Sequence, residues 1–458
     1  MRLSICVLFV ISFCTLACRK SERITSDPNA KLSFSTQNVL FDTVFTTIGS
    51  TTSRIKIFNR NNEALNISAI KLDGGTSSPF NININGENIS QKANLVINGK
   101  DSINLFIKVT INPNSSNLPF LVKDSVVLSS NGNQYVINLL AYGHNAVFLN
   151  NATINANTTW SNTLPYVVNN TLTIKNGATL SLAPGTKVFF HKDAEMQIEG
   201  HLSASGTLND PILFCSDRLE DVYANEPGQW KGIHLKADGT ASITNATIKN
   251  ASVAITADSL SSTSVPKLIL SNNLIKNMQV AAYVGYHSEL IAFNNLIYNC
   301  GSYIIYGIGG GNYNLKQNTL MGYNPSFPRK TAILTFSDYL SATAYNKMHI
   351  DLSNNIIWGT LTNELDVQQK SKTIIQTNFS NNLIKTSNTS YSSNANILNV
   401  DPLFVSAGNS NFQLSGNSPV LKKGVDLTSD PYFNLYLNKD LKNKTRIFPS
   451  SLGCYENY

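Results

Sequence analysis

From about residue 33 to 145 the chain alternates apolar and polar residues in short runs. RIKIFN (54–59), LNISAIKL (65–72), FNININ (80–85), INLFIKVTI (103–111), DSVVLSS (124–130) and YVINLLAYG (135–143) place apolar side chains at about every second position. That is the period of a strand with one buried face. Between the runs stand Asp73-Gly74-Gly75, Asn85-Gly86, Asn112-Pro113 and Asn131-Gly132-Asn133. Gly and Asn accept left-handed backbone and Pro presets φ, so these segments turn. About seven strands at this spacing predict a β-sandwich over 33–145.

Beyond 146 the runs shorten. LTIKNGATLSLAPGTKVFFHKDAEMQIEGHLSASGT (172–207) holds very short strands punctuated by Gly and Asn. A near-repeat then recurs: SNNLIKN (271–277), FNNLIYN (293–299), SNNIIWG (353–359) and FSNNLIKT (379–386). Aligned on the central aliphatic, Ile248, Ile275, Ile297, Leu320, Ile357 and Ile384 are 27, 22, 23, 37 and 27 residues apart. A period in the low twenties with occasional longer loops is that of a stacked solenoid. Asn273, Ile275 and Asn277 share one parity of a strand. If each repeat is one coil, equivalent residues lie about 4.8 Å apart along the stack. Ile then stacks on Ile as a dry interior, and each Asn amide donates to the next, which satisfies polar groups that are costly to bury alone. Leu274, Leu296, Ile356 and Leu383 have the opposite parity and predict an apolar ladder on the outside. A loop such as 324–350, the sandwich or a partner would have to cover it. The expected fold class is therefore all-β: an N-terminal β-sandwich followed, over 146–400, by a right-handed parallel β-helix of about ten to eleven coils and about 50 Å.

Composition supports this picture. Sixty of the 458 residues are Asn and only 14% are charged, which disfavours helices. The 42% hydrophobic content disfavours disorder. The net charge of +7 is carried without a dense Lys/Arg run, so no nucleic-acid partner is expected. MRLSICVLFVISFCTLAC has a basic start and an apolar run too short to span a bilayer comfortably, and residues 1–17 read as a cleaved export signal. Cys215, Cys300 and Cys454 are odd in number and far apart, which reads as buried thiols rather than a zinc or disulfide framework.

Several stretches resemble known families. Leu16-Ala17-Cys18 resembles a bacterial lipoprotein processing site, with Thr15 where Leu is commonest. This implies lipidation of Cys18, a tether over 18–32, and an outer-membrane anchor on the surface or periplasmic face. Gly49 before a strand, Asn59 closing it, the Ile111-to-Pro113 step and Gly143 resemble Ig-like domains of the abnormal-spindle and hydin type, which implies a binding or spacing role. LSFSTQNVLFDTVFTTIGS (32–50) is similar to the opening of Bacteroidota lipoproteins that place such a domain before a β-helix. DPLF (401–404), SPVLKKG (418–424), Asp440, Arg446 and LGCYE (452–456) resemble the closing segment of pectate-lyase-like β-helices. Leu421-Lys422 stands where Ile-Asp is usual. This implies that 401–458 caps the last coil, and that carbohydrate is the chemistry to look for.

The acids of the C-terminal half, Asp338, Asp351, Glu364 and Asp366, are scattered, and no lyase or hydrolase motif stands out. CSDRLEDVYANEPGQWKGIHL (215–235) is the best local candidate. Arg218, as a base or a carboxylate clamp, and Glu220 are the catalytic candidates, and Asp217 and Trp230 the substrate contacts; the alternative is that Arg218 pairs with Glu220 or Asp221 to brace the loop while Trp230 and Ile233 belong to the next coil's wall. HKDAEMQIEGH (191–201) puts His191, Asp193, Glu195, Glu199 and His201 on one parity, suited to an inverting hydrolase, to a weak cation site or to a plain solvent-facing strand. YIIYGIGGGNYN (303–314), including Tyr313, with Tyr323, Tyr339 and Tyr345 beyond, reads either as an aromatic platform for glycan or as coil-wall packing. Asp42-Thr43-Val44, Asp101-Ser102-Ile103, Asp124-Ser125-Val126 and Asp258-Ser259-Leu260 match a loose Bacteroidota O-glycosylation pattern. The expected function is a non-catalytic outer-membrane lipoprotein that binds a polysaccharide or an envelope protein through its β-helix. The alternative is a polysaccharide lyase or glycoside hydrolase. No cofactor is expected beyond a structural cation.

Overall fold

The computed structural model describes residues 23–323, 328–371 and 375–457. Residues 1–17, read from the sequence as an export signal, and Cys18 lie outside the described residues. The described chain divides into two compact units, one ending at Asn145 and the other beginning at Ala146.

The first unit is a sandwich of two five-stranded sheets. One runs Leu32–Phe34, Ser53–Asn59, Ser102–Val109, Phe80–Ile84, Glu87–Ile89; the other runs Asn38–Phe45, Asn133–His144, Phe120–Ser130, Leu65–Leu72, Gln91–Ile97. All six strands predicted from alternation are present. Asn38–Phe45, which alternation did not single out, pairs in parallel with Asn133–His144. Ile55, Ile57, Leu105 and Ile107 of one sheet and Ile67, Ile70, Leu128 and Ile137 of the other are buried in one core. Asn59 is buried where its strand ends, and its amide donates to the carbonyls of Glu63, Ile97 and Asn98, so the side chain ties the strand end to its neighbouring loops.

The second unit is a three-sided parallel β-helix. Its first face is a sheet of eleven parallel strands, one per coil, from Val147–Leu149 to Ile397–Leu398. The repeat register is the one expected: Ile248, Ile275, Ile297, Leu320, Ile357 and Ile384 pair in succession and are buried. The second and third faces join into one sheet because Ala281–Phe293 and Tyr303–Lys316 run unbroken around the corner between them. In the latter strand the turn is made by Gly309, Gly310 and Gly311, with φ of 76°, 80° and 124°. Side chains with a Cβ rarely adopt such values.

The paired asparagines do two different jobs. The second of each pair builds an internal ladder through six coils. Asn273 donates to Asn295 (3.0 Å), Asn295 to Asn318 (3.0 Å), Asn318 to Asn355 (2.9 Å), Asn355 to Asn382 (2.9 Å) and Asn382 to Asn396 (3.0 Å). The other amide hydrogen of each reaches a backbone carbonyl, as from Asn318 to Ala292 at 2.8 Å. Each acceptor oxygen also takes a backbone N–H, as from Asn295 to Asn318 at 3.0 Å. The first member of each pair takes the left-handed bend: Asn272, Asn294, Asn354 and Asn381 have φ between 53° and 59°, and Gln317 has 58°.

The C-terminal segment covers the outer apolar ladder that the opposite-parity aliphatics predict. Residues 401–457 run back along the flank of the helix. Ile356 and Leu383 pack with Leu414, Val420 and Leu452; Leu296, Tyr298 and Met321 pack with Phe412 and Cys454. The left-handed bend residues hold this segment: Asn381 donates to Lys423 O (2.7 Å), Asn354 to Val425 O (2.9 Å), Gln317 to Ser450 Oγ (2.8 Å) and Asn294 to Lys439 O (2.9 Å). The motif residues that suggested a family ending are its anchors. Arg446 pairs with Glu456 at 3.3 Å, both essentially inaccessible, and donates to Asn294 Oδ1 and Gly453 O. Asp440 accepts the backbone N–H groups of Lys442, Lys444 and Glu456. Tyr391, packed edge-on against Phe379, lies against the last part of the helix core.

A second buried ion pair explains a lapse in the repeat. Gly322 and Gly359 occupy the place of Asn277. A Cβ on Gly359 would lie 2.0 Å from Glu364 Oε1, and one on Gly322 would lie 2.4 Å from Arg329 Nη2. Arg329 and Glu364 pair at 2.5 Å over these two glycines. Only a residue without a side chain leaves them room.

Cys215, Cys300 and Cys454 are free and buried, and burial pushes each thiol up to about 12. The thiolate is the reactive form. Iodoacetamide at pH 8 is therefore expected to leave all three unmodified in the folded protein and to alkylate all three in denaturant, as read by peptide mass. Modification of any of them at the rate of a free thiol in the native state would contradict their burial.

Candidate functional site

The loop after Ile212–Ser216 holds the first candidates. Arg218 Nε pairs with Glu220 at 3.2 Å, and its Cζ lies 3.7 Å from the Tyr223 ring centroid. Burial opposes its charge, but Glu220 and Tyr223 outweigh burial and raise it above its ordinary range. A guanidinium held in this way is not poised to act as a base, and the geometry is that of a brace. Asp217 is nearly buried. Its Oδ2 meets His191 Nδ1 at 2.7 Å, and burial raises its carboxyl above the ordinary range against the pull of His191 and Arg218. Trp230 corrects its reading as a sugar contact: it is 1% exposed, stacks on Phe190 at 4.1 Å and donates from Nε1 to Lys249 O. Tyr313 is corrected in the same way. It is 0% exposed and donates to Gly310 O, and Gly307 is small because a Cβ there would lie 2.4 Å from the Tyr313 hydroxyl.

The 191–201 stretch is not one strand. Glu195–Ile198 forms one strand, His201 opens the next, and Asp193, ahead of both, has φ 64°. Its polar groups disperse: His191 to Asp217, Glu199 to Lys175 and His201 to Thr240. Among the described residues no group of three His, Cys, Asp or Glu side chains is placed to hold a metal ion.

The aromatic candidates do assemble, through Tyr303 and Tyr306 rather than Tyr313. These rings stack at 4.3 Å and 14° on the outside of the second face, both half-buried. Strict alternation would separate two residues three apart. Here Ile304 and Ile305 both donate their N–H to Ile333 O and both face the core, a local bulge that re-aims the strand. Burial raises the Tyr306 hydroxyl, followed by the neighbouring phenols of Tyr303, Tyr339 and Tyr286. In the next two coils Thr335 and then Asp366 stand in register with Tyr306. The Tyr339 hydroxyl donates to Gln368 Oε1 (2.6 Å), and Gln368 Nε2 donates to Asp366 Oδ2 (2.7 Å), which fixes the carboxylate. Tyr303, Thr335, Asp366, Gln368, Asn388 and Tyr391 help line an open groove of about 680 Å³. Asp366 was visible in the sequence only as one of several scattered acids, because nothing local reveals that a coil step sets it beyond a tyrosine.

No family model matches the chain, and no curated protein matches it. Solved structures share short segments. A family 123 glycoside hydrolase from Clostridium perfringens is 12% identical over 28% of this chain and 30% of its own, with TM-score 0.20. The PapD-like domain 7 of human CEP192 is 9% identical over 28% of this chain and 94% of its own, with TM-score 0.18. A Porphyromonas gingivalis W83 protein of unknown function is 12% identical over 27% of this chain and 60% of its own, with TM-score 0.19. Likenesses this slight carry no weight for function.

Proposed function

We propose that the protein binds an extended glycan along the second face of its β-helix, as an outer-membrane lipoprotein anchored through Cys18, with the sandwich as an Ig-like spacer of the Bacteroidota kind. The observation that carries this reading is the stacked Tyr303–Tyr306 pair, of which Tyr303 lines a hydroxyl- and amide-rich groove. Aromatic faces take the apolar faces of sugar rings, and fixed polar groups take the hydroxyls. The coil repeat of about 4.8 Å is close to the length of one pyranose unit. Binding is favoured over hydrolysis because Asp366 is the one carboxylate among the groove's described lining residues. Glycosidic cleavage by the usual route needs two.

Glycan-array screening followed by calorimetry tests this. Tyr303→Ala is expected to weaken the selected glycan at least about tenfold, a loss of about 1.4 kcal/mol, with the thermal transition unchanged and no reducing ends released by the wild type. Binding that survives both Tyr303→Ala and Tyr306→Ala would remove the groove from the account. Intact-mass measurement of protein from membranes tests the anchor: a mature chain without added acyl mass at Cys18 would exclude it.

A further inference from the structure

We infer that the groove selects a neutral, hydroxyl-rich glycan lying parallel to the solenoid axis, with Asp366 as the residue that rejects polyuronates. The inference rests on the glycan reading above. Tyr306, Thr335 and Asp366 lie in one register row on three successive coils, so the ring, the hydroxyl and the carboxylate are spaced along the axis rather than around it. A chain laid along that row meets one coil per sugar unit, the coil step being about 4.8 Å. Asp366 is partly exposed and accepts from Gln368 Nε2 through one oxygen, and among the described residues its other oxygen has no hydrogen-bond partner. An ionised carboxylate is purely an acceptor, so it takes sugar hydroxyls as donors. A polyuronate would bring a carboxylate on every ring against it, and like charges at close range repel.

The basic groups near the groove do not reverse this balance. Lys330 is exposed on the lining and at most offsets Asp366. Lys370 lies over the Tyr339 ring at 3.8 Å. Arg329, next in sequence to Lys330, is buried on Glu364. Among the described lining residues there is no guanidinium to clamp a uronate in the bidentate manner that such recognition favours. The remaining lining, including Thr335, Gln368, Asn388 and Tyr391, is uncharged.

The test is calorimetry on the full chain with cello-, xylo- and manno-oligosaccharides of two to six units, against oligogalacturonates of the same lengths. At least one neutral series should bind, with affinity rising with length up to about the number of coils in the row, and oligogalacturonates should bind at least tenfold more weakly. Asp366→Asn should narrow that ratio at least tenfold, with the thermal transition unchanged. Oligogalacturonate that binds the wild type as tightly as any neutral series, and loses binding in Tyr306→Ala, overturns the selectivity while leaving the glycan reading intact. A ratio unmoved by Asp366→Asn overturns the role of that residue. Failure of both series, and of the array, overturns the glycan reading itself.

Discussion

Asn318→Ala is expected to lower the stability of the β-helix by about 3–5 kcal/mol, the sum of a few buried groups losing partners at about 1–3 kcal/mol each with incomplete additivity. Asn318 sits mid-ladder and is fully buried. Its amide donates to Ala292 O and Asn355 Oδ1, and its oxygen accepts both the backbone N–H and the side-chain amide of Asn295. Its amide also reaches Lys316 O at 3.2 Å, and alanine removes all of these interactions at once and offers water no entry. The loss should propagate to neighbouring coils, since each rung holds the next. Urea midpoints measure the stability, and amide exchange should rise in Leu296–Cys300 and Thr319–Gly322 before it rises in the sandwich. Asn312→Ala, at an exposed position on the preceding strand, should change stability by no more than about 0.5 kcal/mol. Equal midpoints for the two variants would mean that the ladder contributes nothing beyond packing.

Arg446→Ala should release the C-terminal flank from the helix at a cost of about 3–5 kcal/mol, the usual penalty for leaving one member of a buried pair uncompensated. Glu456 would keep its charge beside an empty site, and Asn294 Oδ1 and Gly453 O would lose their donor. Release would expose the Leu296, Ile356 and Leu383 ladder now covered by Phe412, Leu414, Val420 and Leu452. The expected signs are new tryptic cuts within 401–457, dye binding to the uncovered apolar strip and concentration-dependent association. Replacing the pair together, Arg446→Met with Glu456→Leu, should recover much of the loss, because a buried pair often contributes little net stability against an apolar one. If Arg446→Ala leaves the segment as protease-resistant as in the wild type, the packing alone holds it.

The groove was less legible than the fold. Trp230 and Tyr313 drew attention as aromatics near polar residues, yet both face inward, because a short strand flanked by turns does not disclose which parity is the core. Arg218 had two readings, and the one realised is the brace, with Glu220 and Tyr223 within its own loop. Tyr303 and Tyr306 escape parity altogether, because the bulge at Ile304 and Ile305 puts them on one side.

What the chain's own order of residues determined is the coil. The Asn-Asn-aliphatic-aliphatic repeat and its period specify strand, bend and register, since a left-handed bend, an amide ladder and an aliphatic column are local demands met anew in every turn. Only the tertiary structure decided what lies outside the column. The flank over the apolar ladder comes from residues far along the chain, Gly322 and Gly359 yield to the Arg329–Glu364 pair, and Thr335 meets Tyr306 on one side and Asp366 on the other in a register row across coils. Those contacts join residues distant in sequence, and no local pattern encodes which distant side chain will arrive.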